Sequence, residues 1–394
     1  MNRPPVEVAD IVRSIPTEFI DKSRRWLTWQ HVKVLRAIQR CRTPALGGHI
    51  DFCSQCGHRA ISYNSCRNRH CPKCQTNSRE RWIALRRQEL LPVPYFHVVF
   101  TLPHELSGLA LQNKRLLYEL LFRASAQTLL ETAADPEYLG AQIGFITVLH
   151  TWGQNLLLHP HVHCIVPGGG LAPDGLTWKQ KKRTFFLPVR VLSRVFRDKF
   201  LDSLADGFRQ GKLCLAGDLQ HLASPNSFRQ LLAPLRRKKW VVYAKPPFGG
   251  AEHMLQYLAR YTHRVAISNH RLLSFDGKNV SFRWKDYAHG NKKRKMTLSS
   301  GEFLRRFLLH VLPDGFVRIR HFGLLANRHR TEMIACCKRL ITESQTDTTP
   351  APATAAPAAL WSCPRCSGAM FPVQRLSRSE AYLYAAFYLP LDTS

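Results

Sequence analysis

Two Cys-x2-Cys pairs constrain this chain more than any other feature of it. Cys53 and Cys56, then Cys71 and Cys74, stand in the segment CSQCGHRAISYNSCRNRHCPKC with fourteen residues between the pairs. Two such knuckles can set four thiolates tetrahedrally around one zinc, and four thiolates leave no open position for chemistry, so that zinc is expected to be structural. Cys41, His58, Cys66 and His70 share the stretch and stay open as a second zinc site, as substitutes within the first, or as packing. The loop also carries Arg67 and Arg69, expected to contact DNA phosphate. A distant pair, Cys363-x2-Cys366, is half a site. It could bind zinc with Cys336 and Cys337, bind zinc with a partner chain, or belong to a flexible tail without metal.

The metal reading of these cysteines rests on a reducing compartment. The opening MNRPPVEVADIVRSIP lacks an apolar core long enough for a signal peptide, and no run approaches a membrane span, so a cytoplasmic protein is expected. Lys and Arg number 57 against 27 Asp and Glu, a formal charge of +30 spread along the whole chain. Such an excess attracts a polyanion, with nucleic acid the first partner to consider and anionic membrane the alternative. Charge names the partner class and not the activity.

Periodicity divides the 394 residues into four parts. Residues 1–92 hold N-terminal helices and the zinc-binding segment. Residues 93–341 read as a mixed domain, with strands at 95–103, 143–152 and 161–166, long helices at 113–134 and 189–211, a further helix at 253–264, and a hairpin within 266–286 turning at Phe275-Asp276-Gly277. Residues 342–360, rich in Thr, Ala and Pro, read as a disordered linker, and 361–394 as a tail with one Cys-x2-Cys knuckle.

The run HPHVHCIV puts His161 and His163 at alternate positions of a strand, so both imidazoles share a face while Val162 turns to the core. Two imidazoles so placed can hold a divalent cation with open positions, which a phosphodiester reaction can use. Gln154, His150 and His253 are the candidates for a third ligand. In GGAEHMLQYLARYTHRVAIS, Tyr257 and Tyr261 are one helical turn apart and share a face, with Arg260 and Arg264 beside them to grip phosphates. A tyrosine hydroxyl can attack phosphorus and store the energy of the cut strand in a phosphotyrosine bond.

HPHVHCIV followed by YLARYTHRVAIS, after a segment ending SCRNRHCPKCQ, resembles the HUH-type two-tyrosine transposases of rolling-circle insertion sequences, the insertion sequence ninety-one group. The likeness runs from about Cys41 to His329 and includes FTLPHEL, HTWGQNLLLHPHVH and GFVRIRHFGLL. It implies an α+β fold, with an antiparallel sheet that carries the histidines, flanked by helices, and a small N-terminal zinc-binding domain. It implies His161 and His163 as ligands of Mg²⁺ or Mn²⁺, Tyr257 and Tyr261 as nucleophiles, and single-stranded DNA at element ends together with target DNA as partners. Two rival readings are a plasmid replication initiator or relaxase with the same chemistry, and a non-catalytic zinc-ribbon DNA-binding protein.

Overall fold

Apolar, β-branched runs bounded by turn residues become strands wherever both of their faces are covered. The computed structural model describes residues 4–15, 17–180, 187–245, 254–255, 265–286, 290–343 and 361–387. Its strands are β1 (Gly48–Cys53), β2 (Arg59–Tyr63), β3 (Tyr95–Thr101), β4 (Gly144–Trp152), β5 (Leu158–Pro167), β6 (Gly170–Leu171), β7 (Trp178–Lys179), β8 (Val242–Lys245), β9 (Leu272–Phe275), β10 (Asn279–Asp286), β11 (Lys292–Ser299), β12 (Ile319–Gly323) and β13 (Met370–Leu376). The chain divides into two units.

One unit comprises Ser78–Ala266 and Leu312–Asp347. Its centre is a five-stranded antiparallel sheet in the order β12-β4-β5-β3-β8. A tight connection turns β4 into β5, closed by the Gly153 N–H donating to the Leu157 carbonyl at 2.9 Å. On one face, Phe96, Val98 and Phe100, then Val162, Cys164 and Val166, pack with Phe145 and Leu149 beneath the helices Lys114–Ala134 and Val189–Arg209. Burial of such side chains contributes about 1.5–3 kcal/mol each, and this is the largest core of the molecule's described residues. Ser125 and Thr128 are buried in the first of these helices because their hydroxyls donate back to the Leu121 and Ala124 carbonyls, each at 2.7 Å. The edge strand β12 is tied to the same helix by Arg320, which meets both oxygens of Glu119 at 2.6 Å and lies over the Phe122 ring. The opposite face carries the histidines and a smaller apolar cluster, in which Val148, Ile165 and Tyr95 meet Met254 and the helix Arg330–Glu343 through Ile334, Cys337 and Ile341.

The other unit is assembled from Met1–Asn77, Ile267–Val311 and Thr348–Ser394. It holds two three-stranded sheets, β13-β1-β2 and β11-β10-β9, both antiparallel. In the first, the central β1 pairs β2 along one edge and the C-terminal β13 along the other, with Cys53 opposite Met370. In the second, Phe282 packs edge-on against Phe303 of the helix Ser300–Leu309. Asn269 accepts from the Val8 N–H at 3.1 Å and Glu7 pairs Lys73 at 2.6 Å, so separate segments of this unit are joined by buried polar contacts.

The fold is α+β with antiparallel sheets, as expected. The sequence reading placed a hairpin at 266–286, and the structure extends it: β9 and β10 form that hairpin and β11 adds a third strand. β11 was missed because Lys292-Lys293-Arg294-Lys295 carries none of the apolar alternation that marks a half-buried strand. Among the described residues no helix is long and apolar enough to cross a membrane.

Candidate metal centre

β5 is the middle strand of the five, so its neighbours decide what surrounds His161 and His163. The register puts His150 of β4 directly opposite His161, and Val148 opposite His163. On the other side Thr101 is opposite His161 and Val99 opposite His163. Because cross-strand partners share a face, His150, His161 and His163 all project from the same side of the sheet. Each offers a nitrogen, and the three nitrogens lie within 4.8 Å of one another. His150 is thus the third ligand candidate that the fold brings to the pair. Gln154 stands in the β4–β5 connection, between His150 and His161 in sequence. His253 lies outside the described residues, as do Tyr257, Tyr261, Arg260 and Arg264.

A fourth histidine was hidden in the apolar run YFHVVF. His97 of β3 is two residues from Val99, hence on the same face, and its Nε2 is 2.7 Å from Nδ1 of His163. The rings stack in parallel, 5.0 Å apart. A histidine inside an otherwise apolar strand was the available signal, since a buried imidazole needs a partner.

The electrostatics keep these rings in the neutral form that could ligate a cation. Burial holds His97 down to about 4, with Lys245 adding to the effect. Burial also holds His161 down to about 3, with His159 and His97 contributing. His163 lies well below the ordinary range because it is buried and faces His150, His161 and His97. All three are therefore neutral at pH 7, the form that carries a ligating lone pair. His161 Nδ1 is 2.6 Å from the His159 carbonyl oxygen, to which its N–H donates, so its Nε2 is left to bind metal. The same logic has His163 Nδ1–H donating to His97, which leaves His163 Nε2 unprotonated and able to ligate. Three protein nitrogens do not fill the coordination shell of a divalent cation, so the donor set fits an ion with positions left for substrate. Tyr243 of β8 pairs Val99 and thus shares this face, two strands from His163, with half its surface exposed.

The cysteines fall into two groups, neither of them the set that spacing suggested, and Cys363 and Cys366 join the first knuckle rather than Cys336 and Cys337. Cys41, Cys66, Cys71 and Cys74 form one, with Sγ–Sγ separations of 3.5 Å from Cys74 to both Cys41 and Cys66. Cys53, Cys56, Cys363 and Cys366 form the other. The expected set of Cys53, Cys56, Cys71 and Cys74 is therefore not brought together, and the reason is the β1–β2 hairpin. Cys53 sits at its closed end, whereas Cys41 and Cys66 flank the open end, where Gly48 faces Tyr63. Five residues of extended chain, roughly 17 Å, separate the two ends. In the first group the sulfurs crowd so closely that they titrate together. Their mutual hydrogen bonds drive Cys74 down and Cys41 down to about 7, and drive Cys66 and Cys71 up. Tetrahedral Zn–S bonds of about 2.3 Å put sulfurs about 3.8 Å apart, close to the spacing seen, so this group fits a structural zinc. His58 and His70 are buried but belong to neither group, and His70 Nδ1 instead lies 3.2 Å from Asn68 Oδ1.

Arg67 and Arg69 are exposed beside the first cysteine group. A denser concentration of cations, which the sequence reading passed over, lies on the β10–β11 ribbon. Arg283 is directly opposite Lys295, and Lys285 opposite Lys293, all four exposed on one face. Like charges directly opposite destabilise a sheet, and a polyanion laid across them reverses that cost.

A family model described as a putative transposase matches residues 144–332, and one described as a transposase zinc-binding domain matches residues 11–102. The chain is 57% identical over 341 residues to the putative transposase y4qJ of Sinorhizobium fredii (strain NBRC 101917 / NGR234), across 86% of this chain and 85% of that protein. It is 30% identical over 300 residues to the transposase for insertion sequence element IS801 of Pseudomonas savastanoi pv. phaseolicola, across 75% of this chain and 70% of that protein. Among solved structures, the metal-free conjugative relaxase TrwC in complex with oriT DNA aligns with a TM-score of 0.24 and 14% identity, over 62% of this chain and 71% of that one.

Proposed function

The chain belongs to the IS91-type family of insertion-sequence transposases, and from that premise we propose that it cuts and rejoins single-stranded DNA by tyrosine transesterification. The observation that carries the proposal is the cluster of His150, His161 and His163 on one face of the central sheet. These residues would hold a divalent cation, which when bound polarises the scissile phosphate and orients it. Of Mg²⁺ and Mn²⁺, the latter suits three imidazoles better, since Mg²⁺ prefers oxygen ligands.

The nucleophile is proposed to be the hydroxyl of Tyr257 or Tyr261. Its oxygen bonds to phosphorus as the bond from phosphorus to the 3′-oxygen breaks, and the tyrosyl proton ends on the freed 3′-hydroxyl. The 5′-phosphate stays on the tyrosine until another 3′-hydroxyl attacks it and restores the tyrosine hydroxyl. Bond energy is conserved through the exchange, so no external energy source is needed. A second tyrosine one turn away would let two strand ends be handled in succession. The charge of +30, the ribbon cations Arg283, Lys285, Lys293 and Lys295, and Arg67, Arg69, Arg260 and Arg264 would supply phosphate contacts that hold DNA without reading its sequence.

The test is to incubate the protein with single-stranded DNA bearing an element end, in Mn²⁺, and to map any covalent adduct. An adduct on Tyr257 or Tyr261, lost in the Tyr257→Phe, Tyr261→Phe double variant, supports the proposal. An adduct that persists in that variant moves the nucleophile elsewhere, with Tyr243 the first position to examine. Absence of any adduct, with DNA bound, overturns the tyrosine chemistry.

A further inference from the structure

The matched zinc-binding region ends at residue 102, yet Cys53 and Cys56 within it have thiol partners near the end of the chain. Cys53 Sγ is 3.4 Å from Cys366 Sγ, and Cys56 Sγ is 3.6 Å from Cys363 Sγ, across sequence separations of 313 and 307 residues. We propose that Cys53, Cys56, Cys363 and Cys366 bind a second structural zinc, which clasps the C-terminal segment onto the N-terminal hairpin.

Three independent features support the clasp. The first is spacing. All four sulfurs lie within 4.8 Å of one another, the size of the shell around one tetrahedral ion, and all four cysteines are free rather than disulfide-bonded. The second is that the two knuckles have the same backbone. The Cys53 N–H donates to the His58 carbonyl and the Gly57 N–H to the Cys53 carbonyl, both at 2.9 Å. In the partner knuckle the Cys363 N–H donates to the Gly368 carbonyl at 2.7 Å and the Ser367 N–H to the Cys363 carbonyl at 2.9 Å. The fourth residue after the first cysteine has positive φ in both, 71° at Gly57 and 62° at Ser367. A serine adopts that conformation at a cost, so the turn is specified rather than incidental. Two matching turns, one following β1 and one preceding its antiparallel partner β13, present two thiolates apiece to a common point.

The third feature is that the apolar core at the knuckle end of the segment is small, although β13 also pairs with β1 and, at its far end, Leu376 and Ala381 pack with Ile50. Around the knuckles the buried cluster is Cys53, Ala60, Cys363 and Met370, with Trp361 packed against it. Along β13 only the two end residues, Met370 and Leu376, are buried, while Phe371 and Val373 are more than half exposed. A cross-link or metal adds most to docking where the core is this small, and zinc binding is coupled to folding in such small ribbons.

Metal analysis of the purified full-length chain should find two zinc ions, and the Cys363→Ser, Cys366→Ser double variant one. In that variant, proteases should also release the segment from residue 361 onward while the rest of the chain persists. Two zinc ions in the double variant, or equal zinc content in both proteins, overturns the proposal. Should the variant fail to fold, thiol alkylation of the native chain decides. Cys56, Cys366 and Cys214 are all exposed. Cys214 should label at once, whereas Cys56 and Cys366 should label only after a strong chelator strips the metal. Prompt labelling of Cys56 and Cys366 in zinc-loaded protein refutes the clasp. None of these readouts depends on DNA cleavage.

Discussion

Replacing His97 by alanine should weaken divalent-cation binding at the sheet face, although His97 is not in the ligand set. Its Nε2 stands 2.7 Å from His163 Nδ1, and the contact is buried. With His97 held neutral, its Nε2 lone pair accepts from His163 Nδ1–H and fixes the tautomer that presents His163 Nε2 to the ion. Without this acceptor, His163 either keeps a buried N–H short of that partner or moves its proton to Nε2 and loses its ligating lone pair. Removing a buried hydrogen-bond partner costs ~1–3 kcal/mol, which at 1.4 kcal/mol per tenfold is roughly a 5- to 140-fold loss of affinity. Truncation also leaves a cavity, but that cost falls on the metal-free and loaded proteins alike. The assay is therefore Mn²⁺ titration calorimetry, with melting temperatures read with and without Mn²⁺. His97→Ala should bind more weakly and gain less thermal stability from the ion. His97→Gln, whose amide oxygen can accept the same hydrogen bond, should recover much of the affinity. A folded His97→Ala protein that binds Mn²⁺ as tightly as the parent would show the ring to be packing alone.

Substituting His161 and His163 together with alanine should abolish strand cleavage in a nicking assay but leave most DNA affinity, because the affinity comes from many phosphate contacts. Removing Arg283, Lys285, Lys293 and Lys295 together should flatten the plot of log K against log salt by about 3.6 on duplex DNA or about 2.8 on single strands, and an unchanged slope would mark the ribbon as a solvated face. Mn²⁺ affinity should fall ~10-fold or less between pH 7.5 and 5.5, where three ordinary imidazoles would lose ~1000-fold, because His161 and His163 protonate only at much lower pH. In the metal-free protein the same depression acts on stability with a definite sign. As pH falls below about 6.5 the unfolded chain takes up protons that His97 and His161 refuse, so their effect is nil above that pH and increasingly destabilising down to about 4 to 3, as thermal melts across that range should register. Cys71→Ser should cost the protein the zinc of its first group and loosen the segment around Cys41 and Cys66, which metal analysis and proteolysis would reveal.

What could be read from residues alone was local. Alternation along HPHVH places two imidazoles on one face whichever strands lie beside it, and the apolar runs at 95–103 and 143–152 declare themselves as strands by composition. Which strand lies beside which is set by register, and register is a long-range property. Hence His150 remained one of three candidates until its position opposite His161 was seen. His97, 66 residues from its partner, left no local trace beyond an odd polar residue in an apolar run. The cysteines show the same limit from the other side. Neighbouring knuckles invite pairing by proximity in sequence, but an extended hairpin holds its two ends apart, so Cys53 and Cys56 meet thiols more than 300 residues away.

Strand β1, the centre of its sheet, has consequences for how this protein is made. One of its two neighbours, β2, follows it out of the ribosome within a few residues, but the other, β13, begins at Met370. At ~5–20 residues per second, on the order of 15–60 s of synthesis separate them. Throughout that interval β1 presents a free row of backbone donors and acceptors, the kind of edge on which another copy's strand can pair. Nascent chains crowded on one message are thus each other's nearest hazard, and faster translation of the intervening stretch shortens the exposure. A gene copy cut short before Met370 would build the histidine sheet and leave that edge open permanently.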